Sequence, residues 1–404
     1  MKKILIILPY FPYPLNSGGN IANYEMINFL RFKHSITLLA LNSTEENMRN
    51  LRMKWDNVEI ITYISESFTQ LLIKRISKVL LHIYLFSISL ILEKKNYAHT
   101  YLTTTLNPYI NPNLVKQLSR LQIENSYDYI QVEFFELLPL IQYLNNKSTS
   151  VFIHHELRFV RYQRMIEMNR FNKLMMLLIK GQEIEFLKQY NKVVTVSDFD
   201  KRQLEFDLNP NQLYSSTLTI SIPQKKIDNE YEFNNTITFL GGSEHFPNKD
   251  AIYWFLESCW GKLLQNSNLQ LHIIGNWSKS DSELLNKKYR NVKFLGFVEN
   301  LEVALSNSIM IVPIRIGSGM RMKIIEAANY GVPFITTTIG VEGLDFCNHV
   351  DCIIADGADA FSDAIIQLSK DSNLQKSLVS NAFKTIDLKY NSARLFEKRN
   401  SIYS

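Results

Sequence analysis

The chain has 404 residues, of which 46% are hydrophobic and 21% charged, and this length suits two globular domains with large cores. Its 44 Lys and Arg residues against 39 acidic ones give a net charge of +5; with no long basic run and no zinc-finger spacing, binding to nucleic acid is not expected. The three cysteines, Cys259, Cys347 and Cys352, are odd in number, which disfavours a disulfide framework or a metal site and predicts reduced thiols in a cytoplasmic protein.

The first half of the chain alternates short β-branched runs with longer helical periodicities, a pattern typical of parallel sheets covered on both faces. The apolar run after Met1 is too short for a signal peptide and is stopped by Pro9, so it predicts a buried strand. The predicted strands are Lys3–Leu8, Ile36–Leu41, Val58–Thr62, Tyr129–Glu133, Ser150–His154 and Lys192–Val196. The predicted helices are Ile21–Phe32, Phe68–Leu92, Phe135–Leu144, Arg161–Ile179 and Glu183–Tyr190.

One segment, Val79–Leu92, is nearly all apolar and follows the basic residues Lys74, Arg75 and Lys78. It is shorter than the ~20 apolar residues that a membrane-spanning helix needs. Two interpretations stay open. The segment is either a buried or half-buried helix of the core, or a helix that dips into an anionic bilayer surface and gives the protein a peripheral contact with the inner face of the cell membrane.

The stretch Asn209–Asn235 contains Pro210, Pro223 and several Asn without a sustained helical period, which predicts a passage between domains. A second alternating set follows it. Its predicted strands are Thr236–Leu240, Leu269–Ile274, Val292–Leu295, Ile309–Val312, Pro333–Thr336 and Cys352–Ala355. Its predicted helices are Asp250–Leu264, Ser282–Lys288, Met320–Tyr330, Ala358–Ser369, Leu374–Lys384 and Ala393–Tyr403.

The predicted fold class is therefore α/β, with two doubly wound, Rossmann-like domains that face each other across a cleft. We expect one domain at residues 1–208, a linker at 209–235 and a second domain at 236–385. Residues 386–404 would form a helix that packs back on the first domain. Ligands of doubly wound sheets bind at the carboxyl ends of strands, so the cleft is the expected site.

The most informative stretch is Pro313–Leu344, PIRIGSGMRMKIIEAANYGVPFITTTIGVEGL. A glycine turn between a buried strand and a helix that begins at Met320 would bind an anion through unpaired N–H groups and the helix dipole. Lys323 and Glu326 are three residues apart and share one helix face, which suits a phosphate followed by a ribose diol. A solvent-exposed Lys–Glu pair is the plainer interpretation of the same two residues.

At these residues the chain resembles the donor-binding signature of retaining GT-B glycosyltransferases, in particular glycosyltransferase family 4, the group 1 glycosyl transferases. The resemblance implies that Glu326 accepts hydrogen bonds from the donor ribose, and that Arg321 and Lys323 supply positive charge for the pyrophosphate leaving group. The residues that it assigns to the donor on this stretch are Ser318, Gly319, Met320, Arg321, Lys323 and Glu326. Many members carry a glutamate where this chain has Ser318; the departure concerns the contact with the donor sugar rather than with the nucleotide.

Two further blocks resemble the same family. In LGGSEHFPNKDAIYWF, Gly242 belongs to a phosphate-binding turn, Ser243 stands where an arginine is common, and Lys249 lies near the usual lysine or simply at an exposed helix start. Gly275 and Phe297 fall in the segments that border the nucleobase, where glycine lets the backbone approach a flat ring. Phe297 would either stack on the base or fill core.

In the first half, Gly18 and Gly19 match the family's glycine-containing loop that faces the donor phosphates and the acceptor. The strand that ends at His154 and His155 resembles the strand whose terminal histidine contacts the transferred sugar, and His155 followed by Glu156 fits that pattern better than His154 does. Successive strand residues face opposite ways, so only one of the two histidines is expected to reach the cleft.

Taken together, the resemblance implies a glycosyltransferase that moves a sugar from a nucleoside diphosphate sugar to an acceptor hydroxyl with retention, in bacterial polysaccharide or surface glycan synthesis. The first domain would bind a glycan or lipid-linked glycan acceptor and the second the donor, with no other cofactor. The only Asp-X-Asp triplet, Asp198–Asp200, follows the predicted helix cap Ser197, so no metal is expected. Two alternatives stay open: a nucleotide-sugar epimerase of the same fold, and a non-catalytic nucleotide-binding pseudoenzyme, suggested by Ser318.

Overall fold

The computed structural model describes residues 1–15, 18–67, 109–165, 169–218, 231–265 and 268–404, together with scattered residues between 69 and 106. The chain divides into two compact units: unit 1 comprises Met1–Leu218 with Phe396–Ser404, and unit 2 comprises Thr219–Leu395. Of the predicted helix Phe68–Leu92, which includes the apolar segment Val79–Leu92, the structure describes only scattered residues, and the rest of the prediction lies outside the described residues.

Unit 1 is built on a parallel sheet whose seven described strands run in the order β3-β2-β1-β4-β5-β6-β7. Its elements in chain order are β1 (Lys3–Leu8), α1 (Gly18–Leu30), β2 (Ser35–Leu41), α2 (Glu45–Lys54), β3 (Val58–Tyr63), α3 (Pro112–Glu124), β4 (Tyr129–Glu133), a 3-10 helix (Phe135–Tyr143), β5 (Thr149–His154), α4 (Arg158–Met165), α5 (Arg170–Leu187), β6 (Lys192–Thr195), α6 (Asp198–Leu204), a 3-10 turn (Pro210–Gln212) and β7 (Leu213–Ser215). The strand order reverses between β1 and β4, which pair side by side, and such reversals are where doubly wound sheets bind ligands.

Burial explains why the central strands read as unbroken apolar runs. Every residue from Ile4 to Leu8 in β1 is fully buried, as are Ile130 and Val132 in β4, because helices cover both faces of a parallel sheet. The same pattern recurs in β11 of unit 2, where Ile309–Val312 is buried throughout.

Unit 2 is a second parallel sheet, with its described strands in the order β10-β9-β8-β11-β12-β13. Its elements are β8 (Thr236–Leu240), α7 (Phe246–Ser258), α8 (Trp260–Gln265), β9 (Gln270–Ile274), α9 (Lys279–Lys288), β10 (Val292–Gly296), α10 (Leu301–Leu305), β11 (Ile309–Val312), α11 (Met322–Asn329), β12 (Phe334–Thr336), α12 (Thr338–Val341), β13 (Ile353–Ile354), α13 (Ala358–Lys370) and α14 (Ser372–Lys389). Here the strand order reverses between β8 and β11, so the loops that follow these two strands lie side by side.

A last helix, α15 (Ser392–Asn400), leads into a 3-10 turn (Ser401–Tyr403). The part of it that belongs to unit 1 is anchored by packing and by polar contacts. The Phe396 ring stacks on Phe29 with centroids 5.3 Å apart, and the buried Arg399 donates from Nε to Ser216 Oγ at 2.9 Å. Tyr403 is 1% exposed, so the segment Phe396–Ser404 is an integral layer of unit 1.

Two helix predictions in the first half were wrong. The predicted helix Arg161–Ile179 is two helices, α4 and α5, because the Asn169 side chain accepts from Asn172 N at 2.8 Å and starts a new helix there. The predicted helix Glu183–Tyr190 is the end of α5, which runs to Leu187. The predicted helix Phe135–Leu144 is present as a 3-10 helix over Phe135–Tyr143, with Pro139 inside it.

Candidate functional site

In unit 2, glycines bring two loops into backbone contact at the carboxyl ends of β8 and β9. Gly241 and Gly275 have φ values of 148° and 126°, and a Cβ on Gly275 would lie 2.8 Å from the Gly241 carbonyl carbon. Only glycine allows this approach and this backbone conformation. The Trp277 indole N–H donates to the Gly241 carbonyl at 2.8 Å, which fixes the turn that leads into Gly242.

The second loop of the site follows β11 and contains Gly317, Ser318 and Gly319. Gly319 is left-handed, with φ 79°, and the Arg321 guanidinium donates to its carbonyl oxygen. Helix α11 begins at Met322 rather than at Met320, so the predicted helix start was wrong by two residues. The reason is that Gly319 and Arg321, the latter with φ −95° and ψ 85°, both have non-helical backbones.

A buried asparagine joins the two loops. Lys323 of α11 donates from Nζ to Asn248 Oδ1 at 2.8 Å, and Asn248 Nδ2 donates to the Gly242 carbonyl at 3.0 Å. The Lys323 ammonium also lies over the Phe239 ring, 4.4 Å from its centroid. Asn248, which sequence reasoning missed as a functional residue, therefore holds the lysine against the glycine turn that follows β8.

Glu326 lies one helical turn beyond Lys323 and is 6% exposed. No described residue donates a hydrogen bond to its carboxylate. Burial raises the pKa of Glu326, and the charge of Lys323 only partly opposes this shift. Burial likewise lowers the pKa of Lys323, against the favourable charge of Glu326. Because Glu326 is buried and Lys323 is partly buried, the solvent-exposed-pair interpretation was wrong. A carboxylate and an ammonium with opposing pKa shifts are typical of binding and catalytic sites.

Other predicted donor residues of unit 2 have different surroundings. Lys249 forms an ion pair with Asp281, with both carboxylate oxygens 2.8 Å from its Nζ. This structural ion pair accounts for the charge of Lys249 without a bound ligand. Ser243 Oγ accepts from the Ser278 N–H at 3.1 Å. Ser243 therefore joins the loops after β8 and β9, and it supplies no positive charge. Phe297 is 57% exposed; its ring therefore does not fill the core, which leaves stacking as the open interpretation.

In unit 1, His155 follows directly after β5 and lies beside the end of β4. Its Nε2 is 2.8 Å from Glu133 Oε2, and its ring stacks on Phe134 with centroids 3.8 Å apart. Phe134 has a left-handed backbone with φ 71°, a conformation that costs a non-glycine residue about 1–3 kcal/mol. This strained backbone places the Phe134 ring flat against the His155 imidazole.

His154 points the other way, as strand alternation requires. Its Nε2 lies 2.7 Å from Glu183 Oε1, and both side chains are almost fully buried. The same carboxylate accepts from the N–H groups of Arg158 and Phe159 at 3.2 and 3.3 Å. Glu183 thus satisfies the first amides of α4, and His154 belongs to that structural network.

The remaining predicted residues of unit 1 lie near the carboxyl end of β1. Helix α1 begins at Gly18, and a Cβ on Gly19 would lie 3.6 Å from the Tyr10 hydroxyl. That hydroxyl accepts from Asn23 Nδ2 at 2.9 Å, and the Tyr10 ring meets Phe134 edge to face at 4.9 Å. Tyr10 therefore links helix α1, which begins at Gly18 and Gly19, to the Phe134–His155 stack.

Ser197 caps α6, accepting from Asp200 N at 3.0 Å, so the Asp198–Asp200 triplet begins a helix as predicted. In the described ranges, no group of three His, Cys, Asp or Glu side chains is placed to hold a metal ion. Over the same residues, none of the helices combines the length and the hydropathy needed to cross a membrane.

Comparison with known proteins is consistent with this geometry. Residues 234–371, which contain both loops of the unit 2 site, match the family model described as glycosyl transferases group 1. An uncharacterized 44.6 kDa protein in the cps region of Klebsiella pneumoniae is 24% identical over 98% of each chain.

Solved structures match the fold over the length of the chain. The structure of TarM superposes with a TM-score of 0.69 at 11% identity, covering 100% of this chain and 99% of that one. Anabaena HepE in complex with UDP and glucose gives a TM-score of 0.67 at 11% identity, with 100% and 99% coverage. At such identities the likeness concerns the fold, which is that of GT-B glycosyltransferases, and it confirms the predicted α/β class with two doubly wound sheets. The chain thus has the GT-B fold, and its residues 234–371 are similar to the group 1 glycosyl transferases.

Proposed function

We propose that this protein transfers a sugar from a nucleoside diphosphate sugar to an acceptor hydroxyl, and that unit 2 binds the donor. One observation supports the proposal above the others: Lys323 and Glu326 lie on one face of α11, at the reversal of strand order, where Glu326 is buried and Lys323 is partly buried. A protein keeps such charges buried at a cost, and a ligand that carries phosphate and hydroxyl groups would offset that cost.

The donor diphosphate would lie against the turn that contains Ser318 and Gly319. Lys323, held by Asn248, and Arg321 would supply the positive charge that a departing diphosphate needs, and charged hydrogen bonds of this kind contribute about 1.5–3 kcal/mol each. Glu326 would accept from the ribose hydroxyls, the donors that its carboxylate does not find among the described residues.

In the reaction, the bond between the sugar's anomeric carbon and the diphosphate oxygen breaks, and a bond from that carbon to the acceptor oxygen forms. The acceptor proton passes to the leaving diphosphate, so the products are a glycoside and a nucleoside diphosphate. We expect retention at the anomeric carbon and activity without a metal ion, with Arg321 and Lys323 stabilising the leaving group. His155 of unit 1 would contact the transferred sugar, as the family resemblance implies.

The names of the similar proteins support a glycan acceptor. One relative is encoded in a cps region, HepE was solved with UDP and glucose, and S. aureus TarM was solved with UDP and a GlcNAc-glycerol. We therefore propose a role in polysaccharide or surface glycan synthesis, with a glycan or lipid-linked glycan as acceptor and a uridine nucleotide as the first donor to test.

Calorimetric titration with UDP, GDP and ADP, followed by release assays with UDP-glucose and other nucleotide sugars, would test this function. We expect one nucleotide to bind, and its sugar to be released in the presence of EDTA. The two alternatives give different results: an epimerase would convert the donor sugar to its epimer without an acceptor, and a pseudoenzyme would bind the nucleotide without releasing sugar. No binding of any nucleotide would contradict the proposal.

We also propose a peripheral contact with an anionic membrane, through described residues of the segment that follows β3. Six apolar side chains there are between 46% and 64% exposed: Leu72, Ile76, Val79, Leu80, Ile83 and Tyr84. Basic residues lie near them in the sequence, and a segment that combines apolar and basic residues suits an anionic bilayer surface.

Sedimentation with phosphatidylglycerol vesicles would test this contact. The double variant Leu80→Asp/Ile83→Asp should lose binding, whereas Phe206→Asp, at a site in unit 1 that is 98% exposed, should bind as the wild type does. Equal binding by the double variant and the wild type would contradict the proposal.

A further inference from the structure

A continuous chain of hydrogen bonds in unit 1 connects the segment Phe396–Ser404 with His155. The Tyr403 hydroxyl donates to Gln131 Oε1, and Gln131 Nε2 donates to Glu133 Oε1 at 2.5 Å. The other carboxylate oxygen of Glu133 lies 2.8 Å from His155 Nε2. Residues far apart in the sequence therefore form one polar chain that ends at the candidate sugar-binding histidine.

The chemistry of Glu133 fixes the direction of this chain. An ionised carboxylate only accepts hydrogen bonds, so the amide nitrogen of Gln131 must face it, and the amide oxygen must then face Tyr403. The Tyr403 hydroxyl can only donate at that contact, and burial raises its pKa, which keeps it protonated. At the other end, His155 must carry its hydrogen on Nε2, and Nδ1 is left as the ring nitrogen that can accept from a substrate hydroxyl.

The chain is rigid because it is buried. Gln131 is 0%, Glu133 3% and Tyr403 1% exposed, and in such surroundings hydrogen bonds are strong and unpaired groups are costly. The Tyr403 ring is held edge to face against Tyr129 and His34, with centroids 5.5 and 5.8 Å away. The hydroxyl therefore has little freedom to leave Gln131.

We propose that Gln131 and Tyr403 are positioning residues: they hold the Glu133 carboxylate in place, and Glu133 fixes the tautomer and the ring orientation of His155. The segment Phe396–Ser404 then supports the reaction as well as the fold of unit 1. The inference rests on the proposed function to the extent that His155 is taken to contact substrate. The hydrogen-bond chain itself does not depend on the identity of the donor.

The decisive variant is Tyr403→Phe, which removes the hydroxyl and keeps the ring. Its matched control is Tyr190→Phe, because the equally buried Tyr190 hydroxyl donates to the Leu138 carbonyl at 2.9 Å and takes no part in the chain. We expect kcat for sugar release from UDP-glucose to fall about tenfold in Tyr403→Phe. The KM for UDP-glucose should stay unchanged, and Tyr190→Phe should keep the kcat of the wild type.

A second measurement needs no substrate. In nitrogen-15 spectra of histidine-labelled protein, assigned through loss of the signals in His155→Gln, we expect the Nε2–H tautomer of His155 in the wild type and in Tyr190→Phe. In Tyr403→Phe and in Gln131→Leu, Glu133 loses the hydrogen bonds that hold its carboxylate against His155 Nε2. We expect the carboxylate to turn away in these variants and His155 to show a mixture of tautomers. An unchanged Nε2–H tautomer in both of these variants would overturn the proposal even if UDP binds. Conversely, absence of nucleotide binding in the wild type would contradict the proposed function, and the nitrogen-15 spectra alone would then decide whether Gln131 and Tyr403 position His155.

Discussion

Nζ of Lys323 lies 2.8 Å from Oδ1 of Asn248, and this one hydrogen bond ties the helix after β11 to the glycine turn after β8. The same asparagine is followed by Lys249, which pairs with Asp281 instead. Two lysines of unit 2 thus lie near the same loops. Lys323 is partly buried at the end of the sheet, and Lys249 forms a structural ion pair.

This difference predicts opposite outcomes for the two lysines. Lys323→Met should weaken UDP binding by about 10- to 100-fold, the loss expected for one charged hydrogen bond to a phosphate. Lys249→Met should bind UDP with nearly the affinity of the wild type, because its charge is already neutralised by Asp281. Isothermal titration calorimetry would compare the two; equal weakening by both variants would show that the phosphate site is not at Lys323.

The buried carboxylate of Glu326 predicts a dependence of stability on pH. Because its pKa is raised in the folded protein, the folded state holds this proton to higher pH than the unfolded chain does. The stabilising contribution is full below the usual glutamate pKa and is lost as the pH rises to about 7. Glu326→Gln should not show this loss. From pH 5 to pH 7, the unfolding free energy of the variant should therefore rise by about 2 kcal/mol relative to that of the wild type.

Urea denaturation of unliganded wild type and Glu326→Gln at several pH values would measure this difference. A difference in unfolding free energy that stays constant with pH would contradict the raised pKa. The same variant should bind UDP more weakly, since a neutral amide is a poorer acceptor for the ribose hydroxyls than a carboxylate.

The sequence predicted the sheets better than the helices, for a physical reason. Strands Lys3–Leu8, Tyr129–Glu133, Thr236–Leu240 and Ile309–Val312 are confirmed residue for residue, because a parallel strand with both faces covered is an unbroken apolar run. Helix Glu45–Lys54 was missed because it buries only Leu51, which leaves almost no hydrophobic period to detect.

Helix Pro112–Glu124 was missed although its signals were present. Asn111 caps it, Pro112 occupies its first turn, and Leu114, Leu118 and Leu121 line its buried face.

The candidate site could be predicted from the sequence only where its residues are close together in the chain. The glycine turns, Lys323 and Glu326 share a motif, whereas Asn248 and Tyr403 are 75 and 272 residues away from their partners, and no local pattern indicates such contacts.

Adjacent histidines in unit 1 should respond differently to substitution. His154→Ala would remove a partner of the fully buried Glu183 and leave that carboxylate less well satisfied, at a cost of about 2–4 kcal/mol in unfolding free energy. The His155 side chain is 11% exposed against 1% for His154, so in His155→Ala stability should fall less, while sugar release from UDP-glucose should fall by at least about tenfold. Thermal unfolding and release assays on both variants would check this; greater loss of stability in His155→Ala would contradict the assignment.

The close approach of two backbones in unit 2 gives the last prediction. At Gly275, φ is 126°, and a Cβ would lie 2.8 Å from the Gly241 carbonyl carbon and 2.9 Å from the Gly242 nitrogen. Both neighbours are backbone atoms, which no side-chain rotation can move away. Gly275→Ala should therefore lower the unfolding free energy by about 2–4 kcal/mol. It should also weaken UDP binding, since it displaces the turn that Asn248 and Trp277 hold.

Gly261→Ala is the matched control in the same unit. Gly261 lies in α8, where a Cβ meets nothing within 4 Å, so alanine should stabilise the protein by about 0.5–1 kcal/mol through its lower backbone entropy in the unfolded chain. Urea denaturation and titration with UDP would be run on both variants. If Gly275→Ala unfolded at the same urea concentration as the wild type, the turn would have room for a side chain, and the two loops could not be in the backbone contact that shapes the proposed phosphate site.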